Sequence, residues 1–367
     1  MEHELKIEDL GWNEFFESNQ KKLELDGFQV ARVIAEHRGA YKVKNANGEY
    51  LAKITGRQMF VAKSREDFPA VGDWAVITEA DKKQAVIKSI LPRKTVMKRK
   101  YGDKNMMGEK NEVQIIAANI DVAFIIESVD RDYNLNRIER YFAIATDGGI
   151  KAAVILNKTD LISEEELETK ISEIKNRLIG IDVIATSTLN EEGLGDLKKY
   201  IIKSQTYCFL GSSGVGKSSL INKLIGEDII KIKNIGESSG RGRHTTTVRE
   251  MYFLPEGGIV IDNPGVREVG MTDTSEGVDN LFDEIAVLAK DCKFVDCTHT
   301  HEPDCAVLKA VESGQLDESR YANYIRLKKE TEHFEMTGIE KKEKNRQFGK
   351  FLNKAKKDLK NFGVKNY

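Results

Sequence analysis

Residues 206–224 hold a glycine-rich loop between a short apolar strand and an apolar helix. Glycines let backbone N–H groups curve around a phosphate, and the start of the following helix attracts the same anion. The alternative is an ordinary glycine-rich turn before a helix. We favour a phosphate-binding loop, in which Lys217 reaches the β- and γ-phosphates of a nucleotide and Ser218 binds Mg²⁺. The phosphate-binding residues, which fit the pattern GxxxxGK[ST], are Gly211, Ser212, Ser213, Gly214, Val215, Gly216, Lys217, Ser218 and Ser219.

The length and charge of the chain set broad limits. Its 367 residues are enough for two or three domains with their own cores. The net charge of −2 conceals a basic tail, because residues 341–367 hold ten Lys or Arg and two acidic residues. No apolar run approaches the roughly 20 residues that span a bilayer, and the acidic start of the chain lacks the apolar core of a signal peptide. We expect a cytoplasmic monomer.

The N-terminal third predicts a helical extension followed by a barrel. Residues 1–26 form an amphipathic pattern through Leu5, Leu10, Trp12, Phe15 and Phe16. Residues 27–108 hold about five short alternating segments separated by turn signals, which is typical of a small β-barrel of the oligonucleotide-binding (OB) or SH3-like type. A basic rim at the end of the barrel is either a surface for nucleic-acid phosphates or a solvated loop. The rim consists of Lys88, Arg93, Lys94, Lys98, Arg99, Lys100, Tyr101 and Lys104.

An α/β pattern over residues 113–272 carries a base-reading motif before the phosphate loop. Asn157-Lys158-Thr159-Asp160 follows a predicted parallel strand and fits the NKxD pattern for guanine. A carboxylate at Asp160 can accept hydrogen bonds from both N1–H and the 2-amino group, a donor pair that adenine lacks. We expect Asn157 on the other edge of the base and Lys158 along the ring. Ser187 and Thr188, after the next strand, should close the pocket over O6.

The residues that should sense the γ-phosphate come last. Asp262-Asn263-Pro264-Gly265 fits DxxG, with Asp262 holding Mg²⁺ through water and the N–H of Gly265 meeting the γ-phosphate. Val266 follows where Ras-like enzymes place a water-orienting glutamine nearby, which predicts slow intrinsic hydrolysis. His244 is the candidate catalytic residue, with a merely solvated histidine as the alternative. One of Thr245, Thr246 and Thr247 should complete the Mg²⁺ shell, and Thr246 is our choice.

The order of these motifs and the segment after them define the rest of the chain. Because ligands bind at the carboxyl ends of parallel strands however those strands are connected, base motifs before the phosphate loop indicate a circular permutation. Residues 276–330 then carry three cysteines and a histidine, a closed set for one structural zinc ion with no position for a catalytic water. The ligands are Cys292, Cys297, His299 and Cys305, with His301 as the runner-up. Residues 331–367 form a basic helical tail.

The combination resembles a known family. A barrel, NKTD before GSSGVGKSS, a GRGRHTTT segment, DNPG and a Cys-Cys-His-Cys set are together similar to the RsgA/YjeQ family, the small-ribosomal-subunit-dependent GTPases of bacteria. The resemblance covers residues 27–360. It implies an OB barrel, a permuted GTPase domain, a zinc-bearing helical domain and a catalytic role for His244. Asn263, where the family usually has Thr, leaves the metal and γ-phosphate contacts intact.

The sequence therefore predicts a multidomain GTPase: an OB-fold barrel, a central circularly permuted α/β P-loop domain and a mostly α zinc-binding domain. The resemblance implies that it binds the small ribosomal subunit and its rRNA, acts in late maturation, and couples ribosome-stimulated hydrolysis to release. The alternative is an RNA-bound scaffold that uses GTP as a conformational ligand with negligible turnover. A membrane-surface role for the basic tail is less favoured, because its apolar face is modest.

Overall fold

The computed structural model describes residues 5–25, 27–37, 39–81, 83–101, 112–130, 133–230, 249–262, 275–336 and the single positions 340, 343 and 346. The predictions for His244, Thr246 and Gly265, and for most of the basic tail, fall on residues outside these ranges. Within the described residues, no helix combines the length and apolar character needed to cross a membrane.

The N-terminal extension forms two short helices instead of one continuous helix. A 3₁₀ helix, Ile7–Leu10, ends at Gly11, whose φ of 89° is left-handed, and helix α1 (Glu14–Lys22) begins after Asn13, which caps it through the N–H of Phe15. An added Cβ at Gly11 would lie 2.4 Å from a guanidinium nitrogen of Arg32, so glycine is the residue that fits at this turn. Trp12 and Phe16 pack against Trp74 of the barrel.

A closed five-stranded barrel follows the extension. Its strands pair in the order β1-β2-β3-β5-β4, and β4 pairs back with β1 to close the ring. The pairing of β3 with β5 is parallel, whereas the other barrel pairs are antiparallel. This closed arrangement is OB-like and confirms the first of the two barrel types. The elements are β1 (Gln29–His37), β2 (Ala40–Asn45), β3 (Gly48–Ile54), α2 (Gly56–Val61), β4 (Trp74–Asp81) and β5 (Gln84–Ile90).

A parallel sheet forms the core of the second unit. Its strands lie in the order β10-β9-β8-β11-β13, all parallel, and β12 pairs antiparallel with β13. A separate hairpin of β6 (Val96–Tyr101) and β7 (Glu112–Ala118) leads from the barrel into this sheet. The other elements are β8 (Val122–Ser128), α3 (Leu135–Asp147), β9 (Lys151–Asn157), α4 (Glu164–Arg177), β10 (Asp182–Thr186), α5 (Leu194–Tyr200), β11 (Thr206–Leu210), α6 (Lys217–Ile225), β12 (Glu250–Phe253) and β13 (Ile259–Asp262).

The barrel and the parallel sheet are joined along β1. Ala35 pairs with Glu250 of β12, so the two units share one eleven-stranded sheet. Arg249 donates to the carboxylate of Glu36 at 2.8 Å beside this pair. Arg32 on β1 is buried and donates to the carbonyl of Leu10 at 2.5 Å and to Thr206 Oγ1 at 2.8 Å. One side chain therefore links the extension, the barrel and the strand that precedes the phosphate loop.

Among the described residues, four helices form the third unit, and two of them pack on α3. Glu139 of α3 is fully buried and accepts hydrogen bonds from Arg320 at 2.7 Å and from Asn323 at 2.5 Å. Because a buried carboxylate is costly without such partners, this cluster fixes how the helical unit lies against the sheet unit. Arg320 also pairs with Glu284, so the contact extends across the helical unit. The helices are α7 (Ser275–Leu281), α8 (Asp283–Ala289), α9 (Ala306–Glu312) and α10 (Glu318–Glu335).

Candidate nucleotide site and metal centre

The predicted nucleotide-binding motifs come together at one edge of the parallel sheet. The phosphate loop follows β11, the NKTD segment follows β9, Ser187 follows β10, and Asp262 ends β13. These strands are parallel, so their carboxyl ends lie at the same edge. The order along the chain is permuted, but the sheet places the base-reading and phosphate-binding segments side by side.

The phosphate loop is shaped by its last glycine. Gly216 has a φ of 100° and precedes the first residue of α6. An added Cβ at this position would lie 2.1 Å from the side-chain nitrogen of Asn157. Only glycine combines this left-handed conformation with so close an approach. Lys217 bends back over the loop and donates to the carbonyls of Gly211 at 2.7 Å and Ser212 at 2.5 Å, which holds its ammonium group beside the loop backbone.

Asn157 joins the base-reading segment to the phosphate loop. Its buried amide donates to the carbonyl of Val215 at 2.8 Å and accepts from Thr186 Oγ1 at 3.1 Å. Both bonds are made to the protein, so Asn157 holds the two loops and the end of β10 in register. The contact of Asn157 with the base remains a prediction.

Asp160 and Ser187 are in direct contact. The Ser187 hydroxyl donates to Asp160 Oδ1 at 2.5 Å and accepts from the N–H groups of Leu189 and Asn190. Ser187 is buried, whereas Asp160 is exposed at the surface of the site and Thr188 is half-buried. The 3₁₀ turn Thr159–Leu161 presents the carboxylate. The geometry can therefore offer a carboxylate to a base that enters from solvent.

A residue that the sequence analysis did not single out also belongs to this edge. Asp130 follows β8, which lies between β9 and β11 in the sheet, and its Oδ2 accepts from Lys158 Nζ at 2.8 Å. Lys158 itself has a φ of 65°. In the sequence, the only signal was a carboxylate two residues after a buried strand. No sequence pattern pairs that carboxylate with Lys158.

Asp262 lies where a metal-binding carboxylate is expected. Burial raises the pKa of Asp262, the nearby Lys217 ammonium lowers it, and Glu250 raises it. A carboxylate in this setting is suited to a cation, which would replace the hydration that burial removes. Ser218, the other described residue of the predicted Mg²⁺ set, is the second residue of the helix after the loop.

The four predicted zinc ligands form one cluster. Their ligand atoms all lie within 4.8 Å of one another. The Sγ atoms of Cys292 and Cys305 are 3.8 Å apart, and His299 Nδ1 lies 3.6 Å and 3.5 Å from them. Zinc–sulfur bonds of about 2.3 Å at tetrahedral angles place two sulfurs about 3.8 Å apart. The geometry of the cluster therefore fits zinc, with Cys297 as the fourth ligand.

The surroundings of the cluster lower the pKa of Cys292 and of His299, whereas burial raises the pKa of Cys297 to about 11. Burial opposes ionisation of Cys292, but hydrogen bonds from the N–H groups of Ala306 and Val307 lower the pKa of its thiol. Burial lowers the pKa of His299, which favours the neutral imidazole. The His299 carbonyl accepts from Tyr321 of α10 at 2.6 Å. His301, the runner-up ligand, is exposed and contacts Thr300 instead.

Comparison with known proteins agrees with the motifs. The sequence profile of the RsgA GTPase family matches residues 90–272. A protein of Lactiplantibacillus plantarum named small ribosomal subunit biogenesis GTPase RsgA 2 is 42% identical over 307 residues, 83% of this chain and 84% of that protein. The chain belongs to the RsgA GTPase family. The RsgA 1 protein of Bacteroides thetaiotaomicron is 37% identical over 354 residues, 96% of this chain and 97% of that protein.

Solved structures of RsgA GTPase relatives agree in fold. YjeQ from Thermotoga maritima has a TM-score of 0.59 at 26% identity, covering 82% of this chain and 96% of that one. YloQ, described as a circularly permuted GTPase, has a TM-score of 0.56 at 24% identity, covering 84% of this chain and 96% of that one. The predicted family, the GTPase activity and the fold class are confirmed, including the barrel and the permuted P-loop domain.

Proposed function

We propose that this GTPase binds the small ribosomal subunit, acts in its late maturation, and is released when the subunit stimulates GTP hydrolysis. The observation that carries the proposal is the similarity to RsgA relatives named for small ribosomal subunit biogenesis, over nearly the whole chain. GTP and GDP are the nucleotide ligands, because a permuted phosphate loop and an NKTD carboxylate meet at one sheet edge.

Two metal cofactors belong to the proposal. Mg²⁺ would enter with GTP and be held by Ser218, Asp262 and Thr246. One zinc ion would be held by the cluster of Cys292, Cys297, His299 and Cys305, where it would fix the short loops before α9. The metal is structural in this proposal, because all four positions of a tetrahedral ion are occupied by protein.

Ribosomal RNA is the proposed partner of the barrel. Part of the predicted basic rim is already used inside the protein, since Arg93 pairs with Asp73 at 2.8 Å and Lys98 lies 3.4 Å from Glu66. Lys88 belongs to the rim and adjoins α2, whose Phe60 is 91% exposed. An exposed aromatic side chain beside cations can stack on unpaired bases, so we place the RNA contact at the α2 side of the rim. Binding should weaken as salt is raised.

A His244→Ala variant tests the coupling of binding to hydrolysis. We expect it to co-sediment with small subunits in the presence of GTP, as the unaltered chain does, but to lose most of the subunit-stimulated turnover, because no glutamine follows DxxG to orient the water. Co-sedimentation and phosphate release would be measured on the same samples. Stimulated turnover that survives the substitution would remove His244 from the chemistry.

The second candidate function is a GTP-regulated RNA-binding scaffold. Val266, in place of a water-orienting glutamine, favours it. A scaffold would bind small subunits in a GTP-dependent manner, and its turnover would be negligible with or without them. The paired measurements on the unaltered chain therefore separate the two functions.

A further inference from the structure

The carboxylate of Asp130 lies at the junction of the two nucleotide-binding loops. Strand β8 pairs with β9 through Ser128 and Asn157 and with β11 through Ile125 and Leu210. The N–H of Val129 donates to the carbonyl of Asn157 at 3.1 Å, which carries the pairing one residue past the strand. The backbone next to Asp130 is therefore hydrogen-bonded to Asn157, the first residue of the NKTD segment.

The side chain of Asp130 is held from two sides. Ser128 Oγ donates to Oδ1 at 2.8 Å, and Lys158 Nζ donates to Oδ2 at 2.8 Å. The side chains of Lys158 and Asp130 are 25% and 28% exposed, so the pair is partly shielded from water. Shielding strengthens the attraction relative to a pair on the open surface. The carboxylate is thus aimed at the lysine before any nucleotide arrives.

An ion-pair partner lowers the entropic cost of ordering the Lys158 side chain against a ligand. A lysine stem has many rotamers, and ordering it costs conformational entropy. The backbone of Lys158 is already fixed, because the carbonyl of Lys158 accepts from the N–H of Leu161 at 3.0 Å and its φ is left-handed. The remaining freedom is in the side chain, and the ion pair with Asp130 restricts it.

We propose that Asp130 is a positioning residue for the purine nucleotide: it anchors the Lys158 ammonium so that the lysine stem lies along the face of the base. The inference rests on the proposed binding of GTP and GDP and on the predicted placement of Lys158 along the ring of the base. Contact with the face of a purine does not depend on the 2-amino group, whereas the contact of Asp160 does. Asp130 should therefore set the affinity for purine nucleotides, and Asp160 should set the choice of guanine.

The test compares dissociation constants for GDP and for IDP, which lacks the 2-amino group. Asp130→Ala should weaken both about tenfold and leave their ratio unchanged, as expected for loss of one ordering contact. Asp130→Glu, which keeps a carboxylate within reach of the ammonium, should bind more tightly than Asp130→Ala. In a Lys158→Met background, which keeps a stem but no ammonium, Asp130→Ala should have less than about a twofold further effect.

Two further variants serve as controls. Asp182→Asn removes the Lys151–Asp182 pair of 3.2 Å between β9 and β10, which lies at the end of β9 opposite Lys158, and it should leave both constants unchanged. Asp160→Asn should collapse the preference for GDP over IDP. The proposal is overturned if Asp130→Ala binds both nucleotides normally, changes their ratio, or acts equally in the Lys158→Met background. If Lys158→Met itself binds normally, the assignment of Lys158 to the base fails instead.

Discussion

Replacing Gly216 by alanine should weaken guanine nucleotide binding by at least about a hundredfold. The added Cβ would lie 2.1 Å from the side-chain nitrogen of Asn157, in a backbone with a φ of 100°. A left-handed alanine costs roughly 1–2 kcal/mol, and displacement of the buried Asn157 amide leaves partners unsatisfied at about 1–3 kcal/mol each. With the two partners of Asn157 the sum is about 3–8 kcal/mol, and a hundredfold change in affinity corresponds to roughly 3 kcal/mol. Titration with a fluorescent GDP analogue measures the dissociation constants of the variant and of the unaltered chain.

The matched control is Gly226→Ala at the other end of α6. Gly226 has a φ of 83°, but an added Cβ there would meet no atom within 4 Å. The control has the same kind of backbone strain without the collision, so it should lower stability slightly and bind GDP normally. A Gly216→Ala protein that binds within about threefold of the unaltered chain would show that the tie between the loops is not needed.

Removing the metal should unfold the helical unit. Structural zinc sites contribute apparent binding free energies of about 10–16 kcal/mol in small zinc domains, and the loops between α8 and α9 contain little regular structure apart from the cluster. We expect about one equivalent of zinc per chain, lost in Cys297→Ser, with rapid proteolysis of residues 275–336. Metal analysis and limited proteolysis measure the two effects.

Thiol reactivity and one histidine provide the controls for the zinc prediction. Cys208 is fully buried in β11, and burial raises the pKa of its thiol. Chelation should therefore expose three of the four cysteines to a thiol reagent while Cys208 stays protected. His301→Ala should keep its zinc, since His301 is exposed and contacts Thr300. Zinc retained by Cys297→Ser, or lost from His301→Ala, would contradict the assigned ligand set.

Local signals predicted the sheet unit well. The α/β pattern expected over residues 113–272 appears as parallel strands that alternate with helices, such as β9 (Lys151–Asn157) between α3 and α4. Buried parallel strands and polar loops at their ends leave strong patterns in short stretches of sequence. The same patterns brought Asp160 and Ser187 to one sheet edge, where they are in contact.

Contacts between distant segments could not be predicted from such local patterns. Nothing in β1 predicts that Ala35 pairs with Glu250, because strand pairing depends on the packing of complete units. The single helix expected at the N-terminus is instead broken at Gly11, where Arg32 from β1 approaches. Asp130 was not predicted for a related reason: its contact with Lys158 depends on β8 lying between β9 and β11 in the sheet.

GTP turnover with purified ribosomal subunits tests the central claim most directly. The chain would be assayed alone, with small subunits and with large subunits, at matched subunit concentration and at two salt concentrations. We predict slow turnover alone, strong stimulation by small subunits that weakens at higher salt, and no stimulation by large subunits. Turnover that is the same in all three samples, or equal stimulation by both subunits, would contradict a GTPase that acts on the small ribosomal subunit.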